Sequence, residues 1–215
     1  EKMLSGMLVR KPVRLDDVSD LVREQLFDVD LEGNDLNIWL YQTARTVVSF
    51  GHVGVLVDAP KEGEKARPYW VTYKPSDILG WRTEIINGAR ELTQVRLLEK
   101  VVEPDGAYGE KNITQVRVLE RGKYEIHRKD DKKGEYKLFE EGEMSLKDKI
   151  PFAVAYSNRV GFYESRSPLY DIAELNLKHY QIQSDLDNIL HISSVPLLAV
   201  FGYPNADEIT TGPSE

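Results

Sequence analysis

"ELTQVRLLEKVVEPDGAYGEKNITQVRVLERGKYEIHR", residues 91–128, is the stretch whose reading decides the fold. It holds three β-rich runs, at 91–103, 112–120 and 123–128, and the links between them are too short to carry a helix. Strands joined this way pair antiparallel with their sequence neighbours, because a parallel pair needs a crossover of a dozen residues or more. Working outward, "VGVLVD" (53–58), "PYWVTY" (68–73), "EYKLFE" (135–140) and "IPFAVAY" (150–156) have the same character. The glycine-containing links "ERGK" (120–123) and "DDKKGE" (130–135) are natural hairpin connections. The middle of the chain is therefore expected to be a β-rich antiparallel layer.

Helices flank it. In "DDVSDLVREQLF" (16–27), Val18, Leu21, Val22 and Leu26 recur at helical spacing behind Asp16 and Asp17. A stronger helix follows, with Asn34 or Asp35 as N-cap, an apolar-leaning face of Leu36, Trp39, Leu40, Thr43, Ala44, Val47 and Phe50, and a stop at Gly51. Near the C-terminus, Ser167 and Pro168 open a helix that runs to about Ser193 and is stopped by Pro196. Positions 168–193 would span roughly 39 Å, long for a globular helix. "PLLAVFG" then reads as a strand and "YPNADEITTGPSE" as an exposed loop. The fold class expected is α+β.

Composition limits the chemistry. Of 215 residues, 41% are hydrophobic and 30% charged, the balance of a globular chain. No apolar run approaches the roughly 20 residues of a membrane span, so the chain is read as soluble. Cysteine is absent, which removes disulfides, thiolate metal sites and cysteine nucleophiles. With 36 acidic against 28 basic side chains the net charge is -8, which argues against a broad electrostatic grip on nucleic acid. The opening at Glu1 and the loop-like ending "TGPSE" suggest a piece of a longer protein.

Two stretches tempt a functional reading. "DVDLEGNDLNIW" (28–39) puts Asp28, Asp30, Glu32 and Gly33 at the first, third, fifth and sixth positions of a calcium loop, but Trp39 stands where the bidentate glutamate belongs. A helix-capping turn is the expectation. "SFGHVGVLVDAP" (49–60) has the glycines of a phosphate loop in the wrong order, since the helix precedes them and offers its carbonyl end. Gly51 is expected to cap that helix and Gly54 to allow close packing in the strand. His52 and Asp58, six residues apart on a strand, stand nearly 20 Å from each other at about 3.3 Å per residue and form no dyad. His127, His179 and His191 fall in no catalytic signature.

The C-terminal helix is more informative. Glu174, Lys178, Gln181, Asp185 and Asn188 share an arc of about 80°, and Asn176, Gln183 and Asp187 lie nearly opposite. Ile172, Leu175, Leu186, Ile189 and Leu190 occupy one flank between these stripes, with Leu169, Ala173, Leu177 and Tyr180 around the other. Two apolar flanks suit a helix packed between neighbours on both sides, as in a ring of like helices, and the other reading is a helix that crosses a single domain with both ends exposed.

The order of "LVRKP" (8–12), "FDVDLEGNDLNIWLYQTARTVVSFGHVGVLVDAP" (27–60), "RPYWVTYKPSDILGWR" (67–82) and "SPLYDIAELNLKHYQIQSDLDNILHISSVPLLAVFG" (167–202) resembles the portal proteins of tailed bacteriophages, particularly a portal-like family of prophages. The resemblance implies a wing over residues 1–165, a stem helix over 166–195 and the start of a clip over 196–215. It further implies a homo-oligomeric ring, usually a dodecamer, at the capsid vertex of the virion, assembled in the host cytoplasm. That ring is the conduit through which double-stranded DNA is packaged and ejected, without sequence-specific binding. It is also the seat for terminase, capsid and head-to-tail connector proteins. No catalytic residue, metal ligand or cofactor comes with it, and no membrane association. Glu174, Lys178, Gln181, Asp185 and Asn188 are expected to line the channel, with the opposite stripe as the alternative. A second stem helix, the tunnel loop and the C-terminal wing of a complete portal are missing from the chain. Two further readings belong to other classes. One is a metal-dependent hydrolase or nucleotidyl transferase using Asp28, Asp30 and Asp58, and the other an acidic binding module for a virion protein.

Overall fold

In the computed structural model, residues 2–59, 67–129 and 134–194 are described, and the expected strand and loop of 196–215 lie outside them. The chain divides into two compact units, Glu1–Tyr170 and Asp171–Glu215.

The first unit begins with three helices. α1 (Lys2–Leu8) was not foreseen from the sequence, and α2 (Asp20–Gln25) starts behind Ser19 rather than at Asp16 or Asp17. Asp17 instead takes a left-handed backbone (φ 55°), which no helix continues. α3 (Leu36–Phe50) forms as expected. The Asp35 carboxylate accepts from the Ile38 amide at 2.8 Å, and Gly51, at φ 95°, ends it by donating its amide to the Val47 carbonyl. Trp39, Thr43 and Val48 form its buried side, and Trp39 meets Trp70 edge to face at 4.8 Å.

Among the described residues, the β-rich middle folds into two sheets and a small hairpin, every pair antiparallel. β1 (His52–Asp58), β2 (Tyr69–Tyr73) and β8 (Phe152–Tyr156) make a three-stranded sheet in the order β2-β1-β8. β3 (Ile78–Ile86), β4 (Ala89–Asp105), β5 (Gly109–Glu120), β6 (Lys123–Lys129) and β7 (Tyr136–Glu143) form a five-stranded meander in sequence order. β9 (Arg159–Gly161) pairs with β10 (Glu164–Ser165). The expected α+β class with an antiparallel β layer is thus what the chain adopts, with two differences. "IPFAVAY" leaves the meander to pair with β1, and "ILGWRTEII" forms a further strand at the edge of the meander.

The core lies between the sheets. Leu56, Tyr73, Ile78, Val95, Leu97, Leu119, Ile150, Phe152 and Tyr163 are buried together. Val95 and Leu97 are fully inaccessible, and burial of such side chains contributes about 1.5–3 kcal/mol each. Gly54 is needed here: the Phe152 ring occupies the place where a Cβ at position 54 would stand. Phe152 and Tyr163 pack at 5.8 Å, and Trp81 and Tyr163 at 5.4 Å, which ties the meander to the β8–β10 segment.

The second unit begins within α4 (Tyr170–Ser193), which ends where expected and starts slightly later than Ser167–Pro168 suggests. Ser167 still governs that start, its hydroxyl accepting from the Leu169 amide at 3.0 Å and its carbonyl from the Tyr170 amide at 3.1 Å. Among the described residues, no helix is long and apolar enough to cross a membrane.

Candidate functional site

Two places on the molecule concentrate unusual side chains. The first is a cleft of about 660 Å³ at the edge of the two-sheet core, lined by residues that include Asp58, Tyr69, Tyr73, Glu99 and Arg117. The strand pairing explains how these meet. Leu97 faces Arg117 and Glu99 faces Gln115 across β4 and β5, so these polar groups continue the face that buries Val95 and Leu119. The three-stranded sheet lays Asp58, Tyr69 and Tyr73 against that polar end.

A continuous network results. Arg117 donates from Nη1 to Asp58 Oδ2 at 2.5 Å and stands 2.8 Å through Nε from Glu99 Oε1. Tyr73 donates to the same Glu99 oxygen at 2.6 Å, and Gln115 donates to Glu99 Oε2 at 2.8 Å. Arg128 extends the chain, donating to Gln115 Oε1 at 3.2 Å and Glu103 Oε1 at 2.7 Å, with its guanidinium 3.5 Å from the centre of the Phe139 ring.

Electrostatics follow from this packing. Burial pushes the Tyr73 hydroxyl far above its ordinary range, and the neighbouring Glu99 charge and hydrogen bond push it further. Burial works the other way on Arg117, but Glu99 and Asp58 outweigh it and raise its pKa, so the guanidinium stays charged. Tyr69 is raised by burial first and then by Asp58. The arrangement binds the two sheets together through one arginine shared by two carboxylates.

The carboxylates named from the sequence do not converge on one another in any group able to hold a metal among the described residues. Asp28 accepts from the Gly33 amide at 2.9 Å and pairs with Arg67 at 2.7 Å. Asp30 accepts from the Glu32 amide at 3.0 Å and from Asn34 Nδ2 at 2.7 Å. Residues 28–35 are therefore a carboxylate-braced turn leading into α3, as the missing twelfth ligand implied. His52 turns its Nδ1 to Ser165 Oγ at 3.1 Å, and burial lowers its pKa. Asp58 is occupied with Arg117, so the pair has no local partnership. Glu99, Gln115 and Arg117 were not singled out from the sequence. The available signal was a charged residue in phase with the apolar positions of its own strand, such as Arg117 two before Leu119.

The second place is α4. Every one of its residues is exposed in the single chain, including Glu174, Lys178, Gln181, Asp185 and Asn188 along one stripe. In the opposite stripe Gln183 donates to Asp187 at 2.9 Å. The flanks carry large exposed apolar side chains: Leu175 is 68% exposed, Tyr180 70% and Ile189 61%.

Residues 168–215 match the family model described as "Domain of unknown function (DUF4055)". No curated protein matches the chain.

Proposed function

We propose that the chain is part of a phage portal protein, a structural ring subunit at the capsid vertex through which DNA is packaged and ejected. In this reading it is a non-enzymatic component of the virion. The observation that carries it is α4: 24 residues of helix with no buried position and apolar side chains on two flanks. Most of a helix's stability in a protein comes from packing of its apolar side chains, and so much exposed apolar surface marks an interaction site. Copies arranged about a closed symmetry axis give each helix a neighbour on both sides.

One polar stripe then faces the axis. Glu174 and Asp185 against Lys178 leave it acidic, and an acidic wall repels phosphate and lets DNA slide. Terminase and the head-to-tail connector are the partners this role requires, and the resemblance of the sequence to portal proteins adds to it.

Electron microscopy of the protein, together with native mass spectrometry, tests the proposal. Rings with a central channel are expected, and a compact monomer with no channel overturns it. The chain has no cysteine, so introduced thiols can locate the faces. Leu175→Cys combined with Leu177→Cys, one on each flank, should crosslink between copies, whereas Gln181→Cys should remain open to a hydrophilic maleimide.

A further inference from the structure

We propose that the two open edges of the five-stranded sheet, β3 and β7, pair with each other between adjacent copies of this chain, continuing the sheet head to tail. This deepens the ring reading and rests on it for closure of the assembly.

Unpaired strand edges are templates for another strand. β3 and β7 pair with no described strand other than β4 and β6, and at nine and eight residues they match in length. Neither contains proline, one of the usual devices that keep an edge from pairing. Separated by four antiparallel steps, they run in the same direction, so a head-to-tail repeat brings them together as a parallel pair.

The charges on these edges are sorted. Register links Gly80, Arg96, Val118, Glu125 and Glu141 in one row across the sheet, and Arg82, Gln94, Glu120, Lys123 and Glu143 in a second. Both rows lie on the face opposite the core, since the row between them holds buried Val95 and Leu119. Arg96 reaches the β3 edge because Gly80 has no side chain, and its guanidinium lies where a Cβ would stand. The β3 edge thus presents Arg82 and Arg96 at the levels where the β7 edge presents Glu143 and Glu141, and all four are exposed. The opposite-sign exceptions, Glu84 on β3 and Lys137 on β7, fall outside these two rows.

This sorting selects the partner. Two β7 edges would oppose glutamates and two β3 edges arginines, and like charges directly opposite are destabilising. A β3 edge against a β7 edge places arginine beside glutamate in both rows. Such a contact is heterologous, the kind that propagates around a ring.

The test uses two variants of the full chain, R82E/R96E and E141R/E143R, followed by sedimentation velocity and native mass spectrometry. Each alone places like charges at every junction and is expected to weaken association roughly tenfold or more per junction. Mixed in equal amounts the two are complementary at every junction, and the assembly should return with alternating subunits. Variants that assemble like the parent overturn the edge pairing and leave the ring reading to α4. Variants that fail separately and also fail when mixed overturn the edge pairing as well. A parent chain that stays monomeric at high concentration overturns both readings.

Discussion

Position 117 shows how much one side chain can carry. Strand alternation puts it beside Leu119 on the inward face, where an apolar residue is expected, and arginine is stable there only because Asp58 and Glu99 bracket it. Arg117→Met should cost about 3 kcal/mol in urea unfolding, since it leaves two half-buried carboxylates without the cation between them. Arg117→Lys should recover only part of that loss, because an ammonium lacks the guanidinium fork that reaches both. Tyr73 adds a pH dependence. Its folded pKa lies above the ordinary value of 10.0, so the folded state keeps a proton that the unfolded chain gives up. Stability is then intact below pH 10 and falls as pH rises beyond it. In alkaline melts Tyr73→Phe should flatten that decline, and an unchanged slope would remove Tyr73 as its source.

Among the elements, α4 and β3 differ in how well they could be read. The ends of α4 are marked by Ser167, Pro168 and the residues before Pro196, and the structure places the helix between them. Its apolar flanks were equally legible, because a period of 3.6 needs no tertiary information. Since no residue of α4 is buried among the described residues, replacing Ile172, Leu175, Leu186 and Ile189 with serine should leave the melting of residues 2–170 within about a degree of the parent while assembly is lost. A large drop in melting temperature would mean those side chains stabilise the subunit itself. β3 lacked a plain alternating pattern because a bulge at Leu79, between Ile78 and Gly80, shifts its phase. A local signal was present all the same: Asn87 and Gly88, both at positive φ, form the tight link from β3 to β4, and an Asn-Gly pair between such runs marks a hairpin.

For the whole molecule, a net charge of -8 argues against a broad electrostatic grip on DNA. The chain should give no mobility shift with double-stranded DNA at physiological salt, and a shift abolished by added salt would require a basic surface at odds with the channel proposed for α4. What the sequence determined by itself was governed by local chemistry: the α+β class, the antiparallel meander dictated by short links, the capped helix α3 and the turn at Asp28–Asp35 that leads into it. The tertiary structure alone decided which strands share a sheet. It sent Phe152–Tyr156 back to β1, and it drew Asp58, Tyr73, Glu99 and Arg117 together from positions up to 59 residues apart. Short-range pattern specifies which face of a strand is buried, but the partner that covers that face is chosen by packing between distant segments. For that reason the charge sorting of the two sheet edges became visible only once the register was known.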